Sequence, residues 1–164
     1  MTLKFYTIGH GELPWATLVA RLGAQGITVL VDGRARTDGI PEHFRPVNVL
    51  THCAQAGLIY FYAGHILKLT PPPLADFETW AAQADIPRGL AWLLNIAAQT
   101  HLAPGDDSAA LLGFGVAARG SARHEWVARA LLASALVQDA PPLDIQHIDR
   151  GGDIWAAQAA HFAR

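Results

Sequence analysis

Apolar positions near the amino end of the chain follow two alternating periods. Leu3 to Gly9 mixes β-branched, aromatic and apolar residues and breaks at Gly9-His10-Gly11, the pattern of a strand that runs into a turn. Trp15, Leu18, Val19 and Leu22 then recur at helical spacing between Pro14, suited to a first helical turn, and Gly26. Ile27 to Val31 is a nearly unbroken β-branched run closed by Asp32-Gly33, which predicts a strand covered on both faces of a parallel sheet.

The segment from Gly33 to Arg45 has no period and is long for a connection, so it is expected to be a functional loop. Val49, Leu50, Cys53 and Ala54 form a second helical stripe ending near Gly57, and Leu58 to Ala63 predicts a third strand. Beyond Pro71 to Pro73, helices are expected over Asp76 to Ala84 and Pro87 to Gln99, the latter with Leu90, Leu93, Leu94 and Ala97 in register. Ala103 to Ser108 predicts a surface loop, Ala109 to Gly115 a fourth strand, and Ala122 to Val137 a long helix capped by Ser121. Leu143 to Ile148 alternates as a final strand, and Asp153 is placed to cap a short helix holding Trp155, Ala159 and Phe162. No internal repeat is evident. The alternation predicts one α/β domain over residues 1–164, with a mostly parallel sheet of about five strands and helices on both faces.

The composition agrees with a large core. Of 164 residues, 51% are hydrophobic and 16% charged, which argues against intrinsic disorder. No stretch has the roughly 18 uncharged apolar residues of a membrane-spanning helix, and no signal-like opening is evident. A cytoplasmic protein without a membrane partner is the expectation. The formal net charge of -2 gives no global positive field, so a nucleic-acid partner is less favoured. Cys53 is the single cysteine, which removes internal disulfides and cysteine-rich metal sites. Its place beside Val49 and Leu50 makes it a small buried hydrophobe rather than a nucleophile. The five tryptophans mostly lie in helical stripes, as core or interface anchors.

Ligands of parallel sheets gather outside the carboxyl ends of the strands. Those ends carry Gly9-His10, Asp32-Gly33-Arg34, Gly64-His65 and the glycine-rich stretch from Gly113 to His124. In that last stretch Arg119, Ser121 and Arg123 could hold an anion at a helix start, although it matches neither the P-loop nor the dinucleotide pattern. Asp32 and Arg34 sit two apart, so that an extended backbone would point both to one side and pair them. His10 and His124 are the histidines best placed to move a proton, with Asp32, Arg34, Arg119, Ser121 and Arg123 as ligand contacts. A metal held by His10, Asp32 and His124 ranks below hydrogen-bonded structural histidines, and no metal or cofactor is assigned. His52, His101, His147 and His161 show no convergent context.

Tyr6-Thr7-Ile8-Gly9-His10, followed by Val31-Asp32-Gly33-Arg34, resembles the family known as domain of unknown function 488. The similarity continues through Gly57 to Tyr60, Phe77 to Leu94 and Leu111 to Ala128, most of the chain. It implies a compact α/β protein and supplies no reaction. The departures are specific. Where that family has a cysteine after the fourth strand and then Cys-His-Arg, this chain has Gly113 and Arg123-His124-Glu125; Gly11 replaces a serine and Tyr62 a histidine. These losses weigh against thiol-dependent chemistry.

Two readings of function follow. One is an enzyme for a small phosphorylated or acidic substrate, with arginines fixing charge and a histidine moving a proton. The other is a noncatalytic domain binding a ligand, a protein or nucleic acid with the same face. Both require His10, Asp32 and His124 to meet above one rim of the sheet.

Overall fold

The computed structural model describes residues 2–102, 107–137 and 141–163. Six strands, β1 (Leu3–Gly9), β2 (Ile27–Asp32), β3 (Ile59–Tyr62), β4 (Ser108–Gly113), β5 (Leu143–Ile148) and β6 (Ile154–Ala156), form one sheet in the order β3-β2-β4-β1-β5-β6. All pairings are parallel except β5 with β6. Helices α1 (Trp15–Ala24) and α2 (Pro46–Ala56) pack on one face. Helices α3 (Gly64–Leu67), α4 (Phe77–Ala81), α5 (Ile86–Leu102) and α6 (Arg129–Val137) follow later in the chain, and α4, α5 and α6 pack on the other face. This is a three-layer α/β fold.

The chain starts near the middle of the sheet, moves through α1 and α2 toward the β3 edge, and returns through α3 to α6 toward β6. Parallel crossovers keep one hand, so reversing the direction of travel changes the face on which the helices lie. The two cores show the result. Tyr6, Ile8, Leu30, Ala110 and Leu112 pack with Leu18 and Leu22 of α1 and Val49 and Cys53 of α2. Phe5, Val29, Val31, Ala109, Leu111 and Ile145 pack with Trp80, Leu90, Leu93, Trp126 and Leu131. Adjacent residues of a strand therefore serve different cores, as the two-residue period requires.

Several sequence expectations need correction. Trp155 lies in β6 and not in a capped helix, and so adds a sixth strand at the edge of the sheet. Gly151 and Gly152 adopt φ of 69° and 87°, a backbone open to glycine, and reverse the chain so that Ile154–Ala156 pairs antiparallel with β5. Only the turn Ala159–Phe162 beyond it is helical. Leu50 is 54% exposed and stands outside the buried stripe of α2, which consists of Val49 and Cys53. The helix expected over 122–137 opens as a π-helical turn, Arg123–Ala128, before α6 begins. Ser121 does not cap it: its Oγ donates to the Ala118 carbonyl at 2.5 Å. The helix expected over 76–84 ends at Ala81, although Asp76 caps it, accepting from the Glu78 and Thr79 amides. Residues 103–106 of the expected surface loop lie outside the described residues.

Close backbone approach holds the carboxyl ends of the central strands together. His10 N donates to Gly113 O at 3.2 Å, Gly11 N to Phe114 O at 2.6 Å, and Gly33 N to Leu112 O at 3.2 Å. A Cβ on Gly9 would stand 1.6 Å from Gly115 O, which leaves no room for any side chain. Gly9→Ala is therefore expected to destabilise the protein by about 3 kcal/mol or more, as overpacking against rigid backbone does. Gly23→Ala in α1, where a Cβ meets nothing within 4 Å, should stabilise it by up to about 1 kcal/mol. Urea unfolding of both variants checks the contrast.

Candidate functional site

The carboxyl ends of β1, β2 and β3 build one polar cluster on the α1/α2 face. Asp32 continues the inward parity of Leu30 and is fully buried, as is Arg34. The carboxylate is saturated. Its Oδ1 accepts from Arg34 Nε at 2.8 Å and Arg34 N at 3.2 Å; its Oδ2 accepts from Arg34 Nη2 and the Tyr60 hydroxyl, each at 2.6 Å. Burial and the neighbouring carboxylate push the Tyr60 phenol well above its ordinary range, so it remains a donor. Tyr62 adds a hydroxyl donated to the Arg34 carbonyl at 3.0 Å. A wholly desolvated ion pair is tolerable only with this completeness of hydrogen bonding.

His10 joins the cluster from β1 and is buried at 3% exposure. Its ring stacks on Phe44 with centroids 4.7 Å apart and meets the edge of Phe114. Nδ1 lies 2.9 Å from Gly11 O, a group that only accepts, so Nδ1 carries the proton. Burial first, and then the Arg34 charge, lower the ring's pKa to about 4, against the opposing Gly11 bond and the Asp32 charge. At neutral pH the ring is uncharged and Nε2 is a bare lone pair. Among the described residues, two buried side-chain polar atoms lack a hydrogen-bond partner: His10 Nε2 and Arg34 Nη1. Both belong to this cluster. The loop 33–45 covers it, with Phe44 against His10 and His43 Nε2 donating to Leu13 O at 2.9 Å.

The remaining expected site residues lie elsewhere. Arg123 and His124 pack on the opposite face of the sheet, because Thr7 and His147 point there with Phe5 and Ile145. Arg123 is buried and structural: Nη1 donates to Thr7 Oγ1 at 2.7 Å and Nη2 to Val116 O at 2.7 Å, tying the glycine-rich loop to β1. Desolvation lowers its pKa only to about 10, so it stays charged. Arg119 is exposed and lies over Trp155 at 5.0 Å. Ser121 is occupied by Ala118, as above. The meeting of His10 and Asp32 with His124 above one rim therefore does not occur.

What the opposite face holds instead is a directional chain. Arg123 can only donate, so the Thr7 hydroxyl accepts from it and turns its own proton to His147 Nδ1 at 2.6 Å. The uncharged His147 then carries its proton on Nε2 and donates to His124 Nδ1 at 2.9 Å. His124 in turn carries its proton on Nε2. Burial lowers the pKa of His147 to about 2 and of His124 to about 4, with the nearby Arg123 charge contributing to both. Trp155, His161 and Phe162 surround His124, and Trp155 Nε1 is anchored on Asp149. Sequence reading passed over His147 and His161. The available signal was a polar residue at an inward-facing strand position, shared by Thr7 and His147.

Cys53 is buried on the first face, and desolvation pushes its thiol up to about 12, as expected of a structural cysteine. Among the described residues no group of three potential ligands is arranged to hold a metal ion, and no helix is long and apolar enough to cross a membrane. No protein family, curated protein or solved structure matches this chain.

Proton placement in the two clusters can be read by nitrogen NMR. His10 should be the Nδ1–H tautomer, and His124 and His147 the Nε2–H tautomers. Thr7→Val should release the fixed tautomer of His147 and cost about 1–3 kcal/mol by leaving one Arg123 Nη1 proton without its acceptor, the bond to the Thr7 carbonyl remaining. The low pKa values also set the acid response. Above pH 6.5 these rings are neutral both folded and unfolded. Below it the unfolded chain takes up protons that the native rings refuse, so stability falls as pH drops. Between pH 7 and 5, above most carboxylate titration, the loss should reach roughly 2 kcal/mol per ring, measured by urea unfolding across that range.

Proposed function

We propose that this protein binds a small acidic ligand at the carboxyl ends of β1 and β2, with Arg34 Nη1 and His10 Nε2 as its polar contacts. One observation carries the reading: the two unpaired buried polar side-chain atoms of the described residues belong to a single cluster. Leaving one buried polar group unmatched costs about 1–3 kcal/mol, and the His10 ring lies near enough to Arg34 to feel its charge. Asp32 holds the guanidinium by Nε and Nη2 and so fixes the direction of Nη1. The stacked Phe44 ring does the same for His10. Such supported side chains are what a preorganised binding site requires.

The reading is of binding rather than turnover. An imidazole with its pKa near 4 is a weak base at neutral pH and carries no proton on the atom that faces the ligand. The resemblance to domain of unknown function 488 belongs to the same proposal, since Gly9-His10 and Asp32-Gly33-Arg34 are the residues that bear both. Arg119, Ser121, Arg123 and His124 drop out of the ligand set, because their contacts lie within the opposite face or the solvent.

The test is a titration of the protein with inorganic phosphate and, separately, acetate, followed by the ring carbon resonances of the histidines. A saturable shift of His10 with either anion, with His124 unmoved, is expected. Arg34→Lys keeps a cation beside Asp32 but removes the fork, and should weaken that binding about tenfold or more. Absence of a saturable His10 response to both anions overturns the reading.

A further inference from the structure

We infer that the ligand held between Arg34 and His10 is an oxyanion that retains an O–H of its own, so that the site takes hydrogen phosphate and refuses sulfate. The inference rests on the ligand-binding reading above and adds the chemistry of what is bound. Its basis is the opposite character of the two unpaired atoms. Arg34 Nη1 offers only protons, and so needs an acceptor oxygen. His10 Nε2 offers only a lone pair, because Nδ1 is committed as donor to Gly11 O at 2.9 Å. A fully deprotonated oxyanion satisfies the first atom and sets its own lone pairs against the second. A neutral alcohol or a protonated oxyanion satisfies both.

Charge and burial narrow the choice. Asp32 already neutralises Arg34 through two side-chain hydrogen bonds, and at pH 7.5 phosphate and sulfate carry similar charge, so charge does not separate the two anions and hydrogen bonding must. Tyr60 is turned to Asp32 and Tyr62 to the Arg34 carbonyl, so neither hydroxyl is free to act as a substitute donor. His43 is likewise spent on Leu13 O. His10 is not able to reverse its role cheaply: placing a second proton on a ring so withdrawn from water is opposed by desolvation and by Arg34. Selection therefore falls on the proton of the ligand. Phosphate keeps at least one proton throughout the neutral range, and sulfate, of the same shape, has none.

Entry to the site requires movement of the cover, since Asp32 and Arg34 are fully buried and His10 nearly so. The cover is lightly held at its tip. Arg36 and Asp38 pair at 3.2 Å with both side chains close to four-fifths exposed, and such a pair contributes little.

The experiment compares phosphate with sulfate at pH 7.5 and constant ionic strength, by calorimetry and by the His10 ring resonance. Phosphate should bind about a hundredfold tighter than sulfate, in keeping with sites whose buried group is left unpaired by the wrong analogue. His10→Phe keeps an aromatic ring against Phe44 and removes the lone pair; it should bring the two anions within about threefold of each other. Should that variant fail to fold, the comparison on the unmodified protein decides by itself. Equal binding of both anions with a His10 response overturns the selection and leaves the ligand site standing. Binding of acetate without phosphate does the same. No response to phosphate, sulfate or acetate removes both.

Discussion

A carboxylate withdrawn entirely from water at the end of β2 dictates the design around it. Asp32 is tolerable there only because four donors converge on it: the Arg34 main chain, two nitrogens of the Arg34 side chain and the Tyr60 hydroxyl. Removing one partner of such a pair would leave a buried charge uncompensated, at a cost of about 3–5 kcal/mol. The turn Asp32-Gly33-Arg34, the Tyr60 hydroxyl that β3 brings beside β2 and the fixed direction of the guanidinium all serve that need. The fork that satisfies Asp32 also leaves Arg34 Nη1 over, and that surplus donor is the origin of the candidate site.

A second constraint, the two-residue period of a strand, separates the polar chemistry into two halves. Ile8 and Thr7 are neighbours in sequence, yet one packs toward α1 and α2 and the other contacts Arg123 on the far side. The sheet thus stands between His10 and His124. Each histidine has its tautomer set by a different device: a carbonyl at its own turn for His10, and a chain originating in a guanidinium for His124. Arg123 and His124, consecutive in the π-helical turn, are both buried on that far side.

The legibility of these features in the sequence follows the range of the forces involved. β1, β2 and the Asp32–Arg34 pair were readable because local signals fix them: β-branched runs, a glycine turn, and two charges spaced to share a side. Cys53 was readable as core for the same reason. Thr7 and His147 were not, because 140 positions separate them and only the parallel pairing of β1 with β5 unites them. Tyr60 looked like an ordinary strand aromatic until β3 took its place beside β2. The cap-like Asp153 predicts a helix at Trp155, whereas the tight turn at Gly151-Gly152 and the pairing with the β5 edge make it a strand. The face on which His124 falls depends on the direction in which each crossover travels, and that direction is a property of strand order rather than of local pattern.

The two clusters differ in what they leave over, and the proposed ligand site rests on this difference. On the α5/α6 face Arg123 spends its nitrogens on Thr7, Gly115 and Val116, Thr7 and His147 pass protons toward His124 in a single direction, and none of the unpaired fully buried side-chain atoms among the described residues lies there. The energetic role of that arrangement is to bind the loop after β4 to β1 and β5. On the α1/α2 face the bonding stops short by one donor and one acceptor. Stability alone would favour filling those positions with apolar atoms of similar shape, since a buried ion pair is no better than well-packed hydrocarbon. An incomplete pair of opposite polarity, supported by Asp32 and Phe44, is what the proposed ligand site rests on, and its complement is a group that both donates and accepts a hydrogen bond.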